Sequence, residues 1–416
     1  MPGWIHPPTH PQENDLQRRT GRYIYEIKSP NMVVLSETKP KLAEMPTEVR
    51  PYLTSIARII NNHISFPKIG RTDSNAILEG CVALSSCNAS ISGFGKIYKG
   101  LPSHTTCLKT LHQIDLEELM KQSSAILAEP VMKVLQTGRS YYFAIDKTND
   151  PYYGEREGTY SSHVVGGKRK ASTNFFHSYM TISVVDKGKH FTLAAIPWTK
   201  ETKNLDGIQQ CVNIVHNLGL EIKCLCLDRE FYAANILQYL QNQKIPHIVP
   251  LKLNSEILKK EIKGRKSKYF QYTMNPQKTN ILEITVCNCV HYRMGKKGKH
   301  GALRHPFVVF GMSASPRKVR EVYSHRFSIE SSYRMRNTTK AKTTSKDPVI
   351  RFFYALIAFL YQNCWIVIQW KRFRKLQRGP KVIVSDLFQL DHFSTIILSE
   401  AMEKFLVRSV DDIAIS

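Results

Sequence analysis

The stretch Tyr323-Ser-His-Arg326-Phe-Ser-Ile-Glu330-Ser-Ser-Tyr333-Arg334 sets one carboxylate among guanidinium and phenol groups. On a helix, positions 323, 326, 330, 333, 334 and 337 recur every three or four residues, so Tyr, Arg, Glu, Tyr, Arg and Asn share one face. A stripe buried for structure alone would be aliphatic, and the ordinary alternative is a solvated charged face. Two upstream acids suggest a different chemistry. Asp146 closes the apolar run Tyr141-Tyr-Phe-Ala-Ile and Asp228 closes Ile222-Lys-Cys-Leu-Cys-Leu, each the pattern of a buried strand with an acid at its C-terminal tip. Acids at neighbouring strand ends converge although far apart in sequence, and their hard oxygens suit Mg²⁺ or Mn²⁺. With Asp146, Asp228 and Glu330 as ligands, two such ions would serve phosphodiester transfer without a side-chain nucleophile. A strand-end Asp taken singly is more often a cap, so the set of three carries the reading. Asp150 competes with Asp146 for the first position, but its place before Pro151 assigns it to a turn.

The elements that must position these residues follow from periodicity. Residues 1–46 are Pro-bearing and irregular, with one short strand at Tyr23-Ile-Tyr-Glu-Ile. Residues 47–138 have helical spacing, as in Leu116, Leu119, Met120, Ile126 and Leu127, and form a small helical domain suited to DNA binding by charge and position. Within it, Gly95–Leu127 allows a helix-turn-helix capped by Ser103 or Thr105. Residues 139–251 then give strand, hairpin (Ser178–Val185 and His190–Pro197), helix (Asp206–Leu218), strand, helix (Phe231–Gln243) and a short strand at 245–251. Residues 252–303 turn basic and β-rich, an insertion with strands at Tyr269–Met274 and Ile281–Tyr292 and the loop bearing Lys296, Lys297 and Lys299. The core resumes over 304–372 with a strand at His305–Met312, a helix from Arg317 that bears Glu330, and a helix from Asp347 to Trp370. Residues 373–416 form a helical tail.

Lys and Arg number 59 against 34 Asp and Glu, a formal net charge of +25 spread along the chain, which favours a polyanionic partner, nucleic acid before an acidic membrane surface. Lys168-Arg-Lys170 and Lys296-Lys-Gly-Lys299 are candidate phosphate-tracking patches. The nine cysteines contain no C-x-x-C pair, and Cys224-x-Cys226 and Cys287-x-Cys289 fit strands, which points to free thiols in a reducing cytoplasm rather than zinc. The N-terminus is too polar for a signal sequence. Val349–Trp370 is long enough to span a bilayer, but Arg351, Gln362 and Asn363 mark it as a buried core helix, and no membrane partner is expected.

The set Ala-Ile-Asp146, Leu-Asp228-Arg-Glu-Phe-Tyr232 and Tyr323-x2-Arg326-x3-Glu330 resembles the DDE transposases of prokaryotic insertion sequences, nearest the subgroup marked Tyr-x2-Arg-x3-Glu-x6-Lys. The resemblance covers about 138–370 and implies an α/β, RNase H-like catalytic core with a β-rich insertion between the second Asp and the Glu. It implies that Asp146, Asp228 and Glu330 are catalytic metal ligands for two Mg²⁺ or Mn²⁺ ions. Tyr323 and Arg326 would hold phosphates, with Tyr333, Arg334, Lys296, Lys297 and Lys299 as further DNA contacts. The implied activity is cut-and-paste transposition: binding of terminal inverted repeats in double-stranded DNA, strand cleavage, and transfer into target DNA by a synaptic homodimer, in the cytoplasm at the nucleoid of a prokaryote. A nuclease of the same fold, or a DNA-binding protein derived from an inactive transposase, are the alternatives. Two positions depart from the subgroup. Asn337 stands where Lys is expected, leaving Arg334, Arg336 or Lys340 to replace it. The four Trp (4, 198, 365, 370) all lie outside the insertion, leaving Tyr269, Phe270, Tyr272 or Tyr292 for base stacking.

Overall fold

Strand parity explains how this chain builds two differently employed faces on one sheet. The first strand, β1 (Ser140–Pro151), sends Tyr141, Phe143 and Ile145 into one apolar cluster and Ala144 into another. Alternate side chains of a strand point to opposite faces, so Asp146, Thr148 and Asp150 continue the Ala144 side. In β5 (Glu221–Leu227), Leu225 and Leu227 join the first cluster while Cys224 and Cys226 join the second, and Asp228 follows on that second side.

The computed structural model describes residues 51–70, 72–186, 188–274, 281–292, 301–375 and 383–409. All lie in one compact unit, Lys41–Ser416. The strand expected near Tyr23 and the loop lysines Lys296, Lys297 and Lys299 fall outside the described residues.

Among the described residues, nine strands form a single mixed sheet. With β2 (Val165–Lys170), β3 (Thr173–Asp186), β4 (Lys189–Trp198) and β6 (His247–Pro250), the order β4-β3-β1-β5-β6 has β1, β5 and β6 parallel and β3 antiparallel to both of its long neighbours. This is the RNase H-like order of three antiparallel strands followed by two parallel ones. The strands of the basic segment, β7 (Lys268–Met274) and β8 (Leu282–Tyr292), do not make a sheet of their own. They continue the main one through β9 (Ala302–Phe310), which pairs with both β8 and β6.

Helices α1 (Tyr52–Asn61), α2 (Ser74–Cys87), α3 (Ile91–Ile97), α4 (His104–Leu111) and α5 (Leu116–Val131) precede the sheet, and Ser103 caps α4 by accepting from Thr106 N at 3.3 Å. The α6 (Asn204–Asn217) and α7 (Ala234–Asn242) helices cover the Phe143 face, and short α8 (Glu256–Glu261) follows β6. The opposite face carries α9 (Pro316–Ser324) and α10 (Phe327–Thr338).

The long helix α11 (Pro348–Arg372) is apolar enough to cross a membrane, yet it forms the core of this unit, with 89% of its apolar window buried. Its polar interruptions are all used internally. Asn363 Nδ2 donates to Leu127 O (3.0 Å) and Thr192 O (2.7 Å), and its Oδ1 accepts from Thr192 N at 3.0 Å. Gln362 accepts from Ser332 on α10 (3.0 Å), and Arg351 Nε donates to Ser345 O (2.6 Å). The last helix, α12 (Leu390–Phe405), returns to the first. Pro51 gives α1 no capping side chain, and Glu400 of α12 supplies it, accepting from Tyr52 N at 3.0 Å and Leu53 N at 2.7 Å. The helical segment and the tail thus share one apolar core with α11 rather than standing apart.

Candidate active site

The parallel pairing of β1 with β5 ends at Ile145 opposite Leu227, so Asp146 and Asp228 are the next residues on adjacent strands, and both face α9 and α10. β1 itself does not stop at Asp146: it runs on to Pro151 paired with β3, and the acid marks the end of one pairing rather than of the strand. Glu330 comes from the first turn of α10.

One group gathers the three acids. Arg326 Nη1 lies 2.9 Å from Asp146 Oδ2, while Nη2 lies 3.4 Å from Asp228 Oδ1 and 3.5 Å from Glu330 Oε1. Its Nε donates to Tyr323 Oη at 3.0 Å. The side chain of Asp146 is 15% exposed against 37% for Asp228 and 46% for Glu330, so one acid is enclosed and two open outward. Burial pushes the Asp146 carboxyl up to about 6. Arg326 opposes that shift, and the negative charges of Asp228 and Glu230 add to it. As the side chains stand, no three His, Cys, Asp or Glu among the described residues are arranged to hold a metal ion, and the centre is filled by the guanidinium. The donor set nevertheless suits a hard divalent cation, because three carboxylates already converge on a single positive charge and exceed it by two.

The helix expected over 317–337 is two helices. Arg326 N bonds to Tyr323 O (3.0 Å) and Ile329 N to Arg326 O (2.9 Å), three-residue steps that tighten the chain at 325–326. Tyr323 and Arg326 are buried, turned toward the acids rather than toward solvent. Tyr333, expected to contact DNA, points inward: its hydroxyl is 2.6 Å from that of Thr181 on β3, so it seats α10 on the sheet. Arg334 is exposed on the outer side of α10. Arg336 and Lys340 do not reach outward in place of the missing Lys, since both bind Asp150. Asp150 is therefore not a turn residue but a buried strand carboxylate. Of the aromatics proposed for stacking, Phe270 and Tyr272 pack toward the core, and Tyr269 donates to Ala314 O at 2.6 Å.

The sequence reading missed several residues. Lys147, on the opposite face of β1, reaches Asn204 Oδ1 at 2.7 Å and Glu230 Oε1 at 3.6 Å above the Trp198 ring, bracing the turn after Asp228. An open cleft of about 850 Å³ runs from Asp228, Tyr323 and Arg326 past Arg229, Arg317 and Arg320. Among the described residues these last three form no salt bridge, and Glu321 is the other carboxylate on the cleft wall. Phe327 is 51% exposed at its edge. The aromatic directly after Arg326 was the signal available in the sequence.

Residues 138–360 match the family described as Transposase DDE domain, more than half of the chain. The chain belongs to this family of DDE transposases. It is a DNA transposase, an enzyme of DNA cleavage and strand transfer, and its family depends on divalent metal. The fold of this transposase is similar to that in the cryo-EM structure of a piggyBac transposase synaptic complex with hairpin DNA, at a TM-score of 0.52 and 11% identity, covering 85% of this chain and 77% of that one. No curated protein matches the sequence.

Proposed function

We propose that Asp146, Asp228 and Glu330 are the metal-binding catalytic acids of this transposase and hold two Mg²⁺ or Mn²⁺ ions. The observation that carries the reading is the convergence of all three on the Arg326 guanidinium. Bound there, the ions would supply Lewis acidity for attack on a phosphodiester and for departure of its leaving oxygen. The chain's own residues do the rest. Asp146, held by Lys147 N at 2.8 Å, is the enclosed anchor, Asp228 lines the cleft where DNA enters, and Glu330 is the most exposed of the three. Arg326, once its carboxylates are otherwise engaged, clamps a phosphate beside Tyr323, for which a planar fork of donors is suited. Arg229, Arg317 and Arg320 track the DNA backbone along the cleft, and Arg334 and the loop lysines extend that contact.

The substrates proposed are the terminal inverted repeats of the chain's own mobile element and then a target duplex, handled by a synaptic homodimer at the nucleoid. The test is incubation of the purified protein with element-end DNA and Mg²⁺. Cleaved ends with a free 3′-OH and joined target products are expected. Asp146→Ala, Asp228→Ala and Glu330→Ala, each verified as folded by circular dichroism, should lower both by at least ~10³-fold, the equivalent of several kcal/mol of transition-state stabilisation. Any of the three cutting at the wild-type rate would remove that residue from the site. Nicking without joining would make the protein a nuclease.

A further inference from the structure

Beyond the site, α10 is bolted to β1 a second time. Asp150 is four residues past Asp146 on the same side of β1, and Arg336 is six residues past Glu330 on α10. Arg336 Nη2 donates to Asp150 Oδ1, and Lys340 Nζ lies 2.9 Å from Asp150 Oδ2, so each carboxylate oxygen has its own cation. Both ends of the Asp150–Arg336 pair are deeply buried, at 3% and 0% exposure. Nη2 also donates to Asn337 Oδ1 at 2.8 Å, and the guanidinium lies 5.1 Å from the Phe359 ring centre of α11. The residue standing in the subgroup's Lys position is itself exposed and thereby covers this buried pair from the solvent side.

The spacing of the two bolts is matched. From Arg326 to Arg336 the helical chain rises about 15 Å at ~1.5 Å per residue. From Asp146 to Asp150 the strand rises about 13 Å at ~3.3 Å per residue. Helix and strand can therefore lie side by side with an Arg–Asp pair at each end, while Tyr333 reaches Thr181, which stands beside Asp146 on β3. Glu330 sits inside that span.

The burial has a cost. Arg336 Nε and Nη1 have no partner, and neither do His177 Nε2 and Tyr179 Oη on the adjacent strand, where His177 is the register partner of Asp150. A buried ion pair contributes little net stability over apolar residues of similar volume, so stability alone does not account for one carrying unpaired donors. What the assembly fixes is position: Arg336 Nη2 on Asp150 Oδ1, Lys340 on Oδ2 and the guanidinium plane over Phe359 of α11 together set where α10 lies on β1.

We infer that Asp150 and Arg336 are positioning residues, setting α10 on β1 so that Glu330 stays in register with Asp146 for metal binding. The inference rests on Asp146 and Glu330 being metal ligands. Neither Asp150 nor Arg336 touches the reacting atoms.

The test uses the full chain and three measurements: Mn²⁺ affinity without DNA by calorimetric titration, cleavage of element-end DNA, and thermal unfolding. In D150L/R336M an apolar pair replaces the ionic one, and Lys340, whose side chain is 23% exposed, is left to turn to solvent. It should unfold cooperatively near the wild-type temperature, bind Mn²⁺ at least ~10-fold more weakly, and lose kcat by a similar factor at unchanged KM for DNA, the usual effect of disturbing groups behind metal ligands. R336K keeps the charge but not the planar guanidinium over Phe359, and should fall between, at ~3-fold weaker Mn²⁺ binding. A folded double variant with wild-type Mn²⁺ affinity and rate overturns the inference. Should that variant not fold, R336K decides alone, and wild-type Mn²⁺ affinity there overturns it. A wild-type protein that neither binds Mn²⁺ nor cuts DNA would instead overturn the assignment of Asp146, Asp228 and Glu330.

Discussion

Two arginines do most to define this site, and burial gives them different tasks. Arg326 meets three acids and a phenol where the pairing of the central strands β1 and β5 ends, and opening toward the cleft lets other groups take over its partners. Arg336 is sealed against one acid. Burial pushes the Asp150 carboxyl up, but Arg336 and Lys340 outweigh it and hold the group down at about 2. A carboxyl held below its unfolded value stabilises the fold above that value, near 3.8, and loses the contribution as pH falls toward 2. Two units correspond to on the order of 2 kcal/mol. Denaturant unfolding measured from pH 5 to pH 2 should therefore be shallower for D150L/R336M than for wild type, and equal slopes would mean that Asp150 titrates alike in folded and unfolded chains.

At the scale of elements, α11 is the member on which the rest is set. Ser332 of α10 donates to Gln362, and Asn363 closes the backbone of β4 at Thr192, where β4 slips register against β3 between Ile182 and Ser183. That irregular position has backbone groups facing away from the ladder, and one amide side chain satisfies both the N–H and the C=O. Asn363→Leu keeps the branching and the number of side-chain heavy atoms but leaves Thr192 N, Thr192 O and Leu127 O without this partner. A loss on the order of 3 kcal/mol in unfolding free energy is expected, from about 1–3 kcal/mol for each buried group left unmade. A loss under about 0.5 kcal/mol, the range of an ordinary surface change, would show that water replaces the amide.

For the whole molecule, charge governs encounter. A formal +25 steers the protein to DNA without specifying sequence, and the contacts that neutralise phosphates set how steeply binding falls with salt. Arg317 and Arg320 line the cleft without salt-bridge partners among the described residues. In R317A/R320A the slope of log affinity against log salt should flatten by roughly 1 per phosphate contact removed. An unchanged slope would place the DNA elsewhere. Because both side chains are on the cleft wall rather than among the acids, cleavage at saturating DNA should stay near the wild-type rate.

The sequence by itself determined what depends on local pattern. Continuous apolar runs located the strand that carries Asp146, though not its end, and the strand that ends before Asp228. Three- and four-residue spacing put Glu330 with Tyr323 and Arg326, and the polar residues within Val349–Trp370 marked a core helix. Partners far along the chain were decided only by the tertiary structure. Nothing near Asp150 distinguishes a turn acid before proline from a strand acid awaiting Arg336, which is 186 residues away. The helical face at 323–337 gave the side on which Tyr333 lies but not that Thr181 would take its hydroxyl inward, and the tail gave α12 but not that Glu400 would cap α1. Side-chain period is a property of the backbone a few residues long. Which polar group meets which is settled by packing, where each buried donor or acceptor takes the partner that the assembled elements bring within reach.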